Sequence, residues 1–142
     1  GDALYAFKIA LDDPINKLNS WDNELDNPST WFHITWNDTT NGVERVDIGN
    51  SELAGPLVPQ LGNLDKLKYL EVYDNKIDGS IPKELGNLGN LVSLDLYGNS
   101  LTGSIPQELG NLKNLMFLRL NDNKLSGPVP DALTKLPNLR VV

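Results

Sequence analysis

Residues 91–114, LVSLDLYGNSLTGSIPQELGNLKN, set a frame, LxxLxLxxNxLxGxIPxxLGNLxx, that recurs without a gap on both sides. Residues 67–90 (LKYLEVYDNKIDGSIPKELGNLGN) and 115–138 (LMFLRLNDNKLSGPVPDALTKLPN) hold it at a spacing of 24. Residues 43–66 fit more loosely, and 139–142 begin another copy. A fixed period of this length leaves few folds open, because one copy has no partner surface of its own on which to bury its apolar residues. The copies must stack. Each is expected to supply one short strand, at 69–73, 93–97 and 117–121, and equal periods bring these strands into one parallel sheet.

Leucines at these offsets mark a leucine-rich repeat. The fold class expected is an α/β solenoid, a short right-handed leucine-rich repeat with a parallel concave sheet and a helical plus β-hairpin N-terminal cap, and its GxIP segment resembles the plant-specific 24-residue type common in extracellular repeats. Residues 1–42 read as the cap and 43–142 as repeats: four full copies (43–66, 67–90, 91–114, 115–138) and a truncated fifth (139–142). Leu91, Leu94, Leu96, Leu101, Ile105, Leu109 and Leu112 should point inward, covered by their counterparts in neighbouring copies. Asn75, Asn99 and Asn123 have amides suited to pairing with buried turn backbone, which predicts a ladder along the solenoid. Gly79, Gly103 and Gly127 permit backbone angles that side chains resist, and Pro82, Pro106 and Pro130 stiffen the turns that follow.

The formal charge of −7 argues against nucleic acid or anionic membrane as a partner, since both need a basic footprint. No apolar run approaches the roughly 20 residues that span a bilayer, and the start at Gly1 lacks the basic and apolar segments of a signal peptide. Cysteine is absent, so disulfides give no argument for secretion. Asn37-Asp38-Thr39 is the chain's sole glycosylation sequon, and Asn37 its candidate acceptor.

Within residues 2–11, Leu4, Phe7 and Leu11 share one helical stripe, with Asp2 suited to cap the start and Asp13-Pro14 to end it. Trp21 offers a large apolar body to seal the end of the core. Residues 22–30 read as a loop, and 31–37 as an aromatic, β-branched strand that Asn41-Gly42 turns back into 43–48. Leu139 and Val142 fill leucine positions of a fifth copy, which leads to the expectation that the natural chain continues past Val142.

Strand residues alternate, so the third, fifth and seventh positions of each copy face the concave side. The third are Arg45, Tyr69, Ser93, Phe117 and Val141, the fifth Asp47, Glu71, Asp95 and Arg119, the seventh Gly49, Tyr73, Tyr97 and Asn121. Four aromatics thus share one exposed surface, either as an interface of the composition proteins use for recognition or as good strand residues in cross-strand contact. Asp47, Glu71 and Asp95 form a column at a strand spacing of about 4.8 Å. A basic partner, relief from Arg45 and Arg119, or a solvated acidic face would each account for it. Retaining glycosidases hold two carboxyls roughly 5–5.5 Å apart, yet a flat sheet excludes no water and nothing in the sequence separates the two pKa values. His33 is the single histidine, with no cysteine to activate and no second histidine for zinc, and Gly62, Gly86 and Gly110 lack the lysine of a phosphate loop. No catalysis, metal or cofactor is expected.

The words GDALYA at 1–6, Ser20-Trp21-Asp22, NPSTWFH at 27–33, Arg45-Val46-Asp47, Leu94-Asp95-Leu96-Tyr97 and FLRLNDN at 117–123 resemble the ectodomains of somatic embryogenesis receptor kinases over the whole chain. The secreted kinase-less relatives of those receptors are closer still. The resemblance implies a plant protein of the extracellular space (the apoplast), or of the cell surface if a membrane anchor follows Val142. Its partner would be a larger receptor ectodomain, with or without a small ligand. The family's contact residues correspond here to Phe32 and His33 in the cap and to Tyr69, Tyr73, Asp95, Tyr97 and Arg119 on the repeats. The family also carries a cysteine pair where this chain has Ser29 and Trp36, and losing such a bridge costs roughly 2–4 kcal/mol unless Trp36 packs in its place. The expected function is non-catalytic protein recognition in development or defence signalling. The alternative is a secreted inhibitor of microbial cell-wall hydrolases, of the polygalacturonase-inhibitor type.

Overall fold

A computed structural model describes residues 2–13, 18, 21, 33–37, 39 and 42–139. Ser29, Phe32, Asn41, Val141, the expected loop at 22–30 and all but the first residue of the fifth copy lie outside them. In chain order the elements are helix α1 (Asp2–Ala10) and strands β1 (Ile34–Asn37), β2 (Gly42–Asp47), β3 (Ala54–Pro56), β4 (Tyr69–Glu71), β5 (Lys76–Asp78), β6 (Ser93–Asp95) and β7 (Phe117–Arg119), then helix α2 (Asp131–Thr134).

Helix α1 puts Leu4 and Phe7 fully into the core at helical spacing, and Leu11 packs at its margin. It stops one residue short of the expected end because Asp12 leaves to pair with Ala54 of β3. Trp21 is fully buried, and its carbonyl accepts a 2.8 Å hydrogen bond from Lys8 Nζ. This is the apolar seal expected of it.

The main sheet has the order β1-β2-β4-β6-β7, with β1 antiparallel to β2 and the rest parallel. Its register repeats the 24-residue frame, pairing Val46 with Leu70, Leu70 with Leu94 and Leu94 with Leu118, all with no exposed surface. Strands β4, β6 and β7 span three residues rather than the expected five, but the ladder runs on. Asn50, Asp74 and Gly98 donate their N–H groups to the carbonyls of Tyr73, Tyr97 and Asn121. There the chain turns out of the sheet, and the eighth position of every copy is left-handed: Asn50 (φ 50°), Asp74 (52°), Gly98 (69°) and Asp122 (56°). Asparagine, aspartate and glycine are the residues that tolerate this conformation.

A second, smaller parallel ladder was not foreseen. β3 pairs with β5, and the bridges Ser80–Thr102 and Ser104–Ser126 continue the same edge. Its strands, AGP and KID, are too short to show a period of two. Single turns of 3-10 helix at Pro59–Asn63, Lys83–Asn87 and Gln107–Asn111 cover the opposite side, each starting at the repeat's proline or one residue after it. Of the leucine-type residues expected inside, Ile105 is only partly buried against the core.

The asparagine ladder forms as expected. Asn75 Oδ1 accepts from the backbone N–H of Ser51 (2.9 Å) and Leu53 (3.0 Å), while its Nδ2 donates to the carbonyls of Ile48, Val72 and Tyr73. Asn99 and Asn123 repeat the arrangement one and two coils on. An outer ladder joins it, in which Asn90, Asn114 and Asn138 donate to the carbonyls of Asp65, Gly89 and Lys113 in the preceding copy. In the cap, Trp36 pairs with Val43 across a β-bulge and packs partly against the core, at one of the positions where the resembling family places a cysteine.

Candidate protein-recognition surface

Because Val46, Leu70, Leu94 and Leu118 point into the core, the residues beside them in each strand face the other way. The register sets Arg45, Tyr69, Ser93 and Phe117 in one row and Asp47, Glu71, Asp95 and Arg119 in the next. Gly49, Tyr73, Tyr97 and Asn121 make a third row where the strands end. One wall therefore gathers Tyr69, Glu71, Tyr73, Asp95, Tyr97, Phe117 and Arg119.

Two arginines organise this wall. Arg119 Nε and Nη2 both donate to Asp95 Oδ2, at 3.0 and 2.6 Å, and Asp95 Oδ1 accepts from the N–H of Tyr97 at 3.2 Å. The guanidinium sits 4.7 Å from the Tyr97 ring centre and 5.9 Å from that of Tyr73, so rings from two strands flank it. Arg45 repeats the motif, donating to Asp47 from Nε and Nη2 at 3.1 Å each and lying 4.3 Å over the Tyr69 ring. The hydrogen bonds to Asp47 and Asp95 raise the pKa values of the two arginines. Tyr97 in turn hydrogen-bonds the Asp122 carboxylate, which raises the pKa of its hydroxyl.

The carboxylate column is thus relieved at its two ends and not at its centre. Among the described residues no lysine or arginine pairs with Glu71. Burial pushes its carboxyl above the ordinary range, the charges of Asp95 and Asp47 push the same way, and a hydrogen bond from Ser93 and the charge of Arg45 oppose them. The sequence offered no reason for the carboxylates to differ, and half-burial supplies one. Since the folded protein holds this proton more tightly than the unfolded chain, ionised Glu71 costs stability as pH rises through its folded pKa. Glu71→Gln is therefore expected to raise the melting temperature at pH 7, with the gain fading near pH 4. A gain of equal size at both pH values would contradict this.

In the sequence Gly49 is only the seventh-position residue of the first copy. A side chain there would lie within 2.4 Å of the Tyr73 ring, so the glycine is the seat on which that ring rests. Ser93, Asp122, Val92 and Met116 also join the surface without having been singled out as contact residues; the repeat frame assigned the first of these to the wall, but nothing marked its bond to Glu71. His33 lies at the far edge of the sheet from Arg119. It has a left-handed backbone (φ 69°), and its carbonyl accepts from the N–H of Asp47 at 2.9 Å. Its expected companion Phe32 lies outside the described residues. Asn37 closes β1 opposite Gly42, away from the Tyr73–Arg119–Tyr97 cluster.

Comparison with known proteins places this geometry. Residues 46–142 match the leucine-rich repeat region family, and residues 1–37 the leucine rich repeat N-terminal domain. Leucine-rich repeat protein 1 of Arabidopsis thaliana is 61% identical over 73 residues, 51% of this chain and 33% of the relative. Leucine-rich repeat protein 1 of Oryza sativa subsp. japonica is 56% identical over 73 residues, 51% of this chain and 34% of the relative. The chain spans about a third of the length of the curated relatives it matches. Among solved structures, the BIR3–SERK2 complex of Arabidopsis thaliana contains a chain similar over 99% of this one and 77% of its own length, at 35% identity and a TM-score of 0.89. The Arabidopsis thaliana BIR2 ectodomain is similar over 98% and 75%, at 33% identity and 0.89. The Arabidopsis receptor kinase HAESA ectodomain, solved with a peptide hormone ligand, is similar over 99% and 24%, at 36% identity and 0.85.

Proposed function

Since the chain belongs to the leucine-rich repeat family, a protein-interaction fold shared with plant receptor ectodomains, we propose that it is a non-catalytic extracellular recognition module, co-receptor-like or secreted. It acts in plant development or defence signalling by binding a receptor ectodomain, with or without a small ligand between them. The observation that carries this reading is Arg119, fixed by Asp95 and flanked by Tyr73 and Tyr97 on an open wall. Rigid aromatic side chains and an arginine already held in place lose little entropy on binding, which is how interface hot spots are built. The similarity to one chain of the BIR3–SERK2 complex and to a receptor kinase ectodomain solved with a peptide hormone supports it.

The contact set proposed is Tyr69, Glu71, Tyr73, Asp95, Tyr97, Phe117 and Arg119, with Phe32 and His33 extending it into the cap. Binding to plant receptor ectodomains, those of BIR3 and HAESA first, is measured for the protein and for Tyr73→Ala, Tyr97→Ala and Arg119→Ala. Each substitution is expected to weaken binding at least tenfold, about 1.4 kcal/mol or more. Unaltered affinity in all three would remove the concave wall as the contact surface. Asn37 is the proposed glycan acceptor, with Thr39 of its sequon exposed. Secreted from plant cells, the protein should lose one glycan's mass on Asn37→Gln, and an unchanged mass counts against the assignment.

A further inference from the structure

We propose that the slot beside Glu71 seats one arginine side chain of a protein partner. The proposal rests on the reading of the concave wall as the recognition surface, and it names the chemistry of one contact there. An open depression of about 450 Å³ lies between Tyr69 and Phe117, with Glu71, Ser93, Val92 and Met116 along it. It exists because the third-position row runs Tyr69, Ser93, Phe117, a small residue between two rings. Two strand spacings separate those rings' backbones by about 10 Å, room for one planar group between them. Phe117 is 50% exposed, a large ring left half open to solvent.

The charges say what fits. The row Asp47, Glu71, Asp95 carries three carboxylates against Arg45 and Arg119, and each arginine is committed to its own aspartate. One negative charge, on Glu71, is left without a cationic partner among the described residues. The wall also shows, twice, what an aromatic ring beside a carboxylate holds here: Arg45 lies over Tyr69 and bonds Asp47, and Arg119 lies over Tyr97 and bonds Asp95. Phe117 beside Glu71 offers a ring and a carboxylate with no guanidinium between them among the described residues, and Tyr69, already under Arg45, bounds the slot on its other side. Arginine suits such a place better than lysine, because a flat, weakly hydrated guanidinium stacks on rings while it pairs with a carboxylate. Arg45 also borders the slot, but its charge is met by Asp47.

Met116 is the chain's single methionine, so a methyl-labelled sample reports on the slot with one resonance. N-acetyl-arginine methylamide at pH 7 should shift that resonance saturably, whereas the citrulline counterpart, of the same shape without the charge, should not. The apparent affinity should fall at least tenfold both in Glu71→Gln, which removes the charge, and in Ser93→Tyr, which fills the slot. A shift that does not saturate, an equal response to citrulline, or undiminished affinity in both variants overturns the proposal. The two readings fail separately. If Tyr73→Ala and Arg119→Ala abolish ectodomain binding while the arginine probe is ignored, the slot is wrong and the wall stands; if the probe binds and no ectodomain does, the reverse holds.

Discussion

Alanine at Gly86 is expected to lower stability by about 2 kcal/mol, whereas alanine at Gly89 raises it by about 0.5 kcal/mol. A methyl group on Gly86 would sit 2.5 Å from the carbonyl oxygen of Glu108 and 2.9 Å from its carbonyl carbon, atoms of the next coil's backbone. Neither side can swing away, so two coils must separate, at an overpacking cost of about 1–3 kcal/mol. The smaller unfolded-state entropy of alanine offsets only about 0.4–1 kcal/mol of that. Gly62 meets the backbone carbonyl of Glu84 in the same way, whereas Gly110 meets the Cβ of Ala132. The fourth copy has Thr134 at this offset, and that residue is exposed. Gly89, by contrast, has no atom beyond its two chain neighbours within 4 Å of the methyl position and no left-handed backbone, so only the entropy gain remains. Thermal denaturation should show the first variant melting about 6 °C lower and the second slightly higher. Equal effects would mean that the coils do not touch there.

Asn75→Ala is expected to destabilise the protein by about 4 kcal/mol, the largest single effect of a polar substitution here. The amide serves two buried N–H groups and three carbonyls drawn from two coils, and water cannot replace it at a position only 9% exposed. Each orphaned group costs about 1–3 kcal/mol, less what local relaxation recovers. Asn123, at the more open end of the ladder, should cost about half as much when changed to alanine, since its bond to the Asn121 carbonyl is already exposed. Urea unfolding of the two variants tests the gradient. A loss at Asn123 as large as that at Asn75 would sink the argument from burial.

These two residue sets were read from the sequence with unequal success. Asn75, Asn99 and Asn123 could be assigned as a ladder because a short amide recurring beside buried turns has one efficient use. Gly62, Gly86 and Gly110 recur as regularly, yet a glycine in a frame does not say what it approaches. The backbone carbonyl oxygen that would strike a methyl at Gly86 belongs to Glu108, one coil away. Similarly, Arg119 stood in the fifth-position row from the start, but its bond to Asp95 and its place between Tyr73 and Tyr97 depend on rotamers set by both neighbouring strands. The second ladder through β3 and β5 went unseen because it rests on three-residue strands in a stretch read as turns.

What the sequence determined by itself was the register. Leucines at a constant period place equal offsets of successive copies side by side, so the rows Arg45–Tyr69–Ser93–Phe117 and Asp47–Glu71–Asp95–Arg119 follow from backbone hydrogen bonding alone. What only the tertiary structure decided was which neighbours within those rows join and which stay apart. Charge pairing and burial act over a few ångströms between side-chain tips, a scale on which Asp47 and Asp95 hold arginines and Glu71 between them does not.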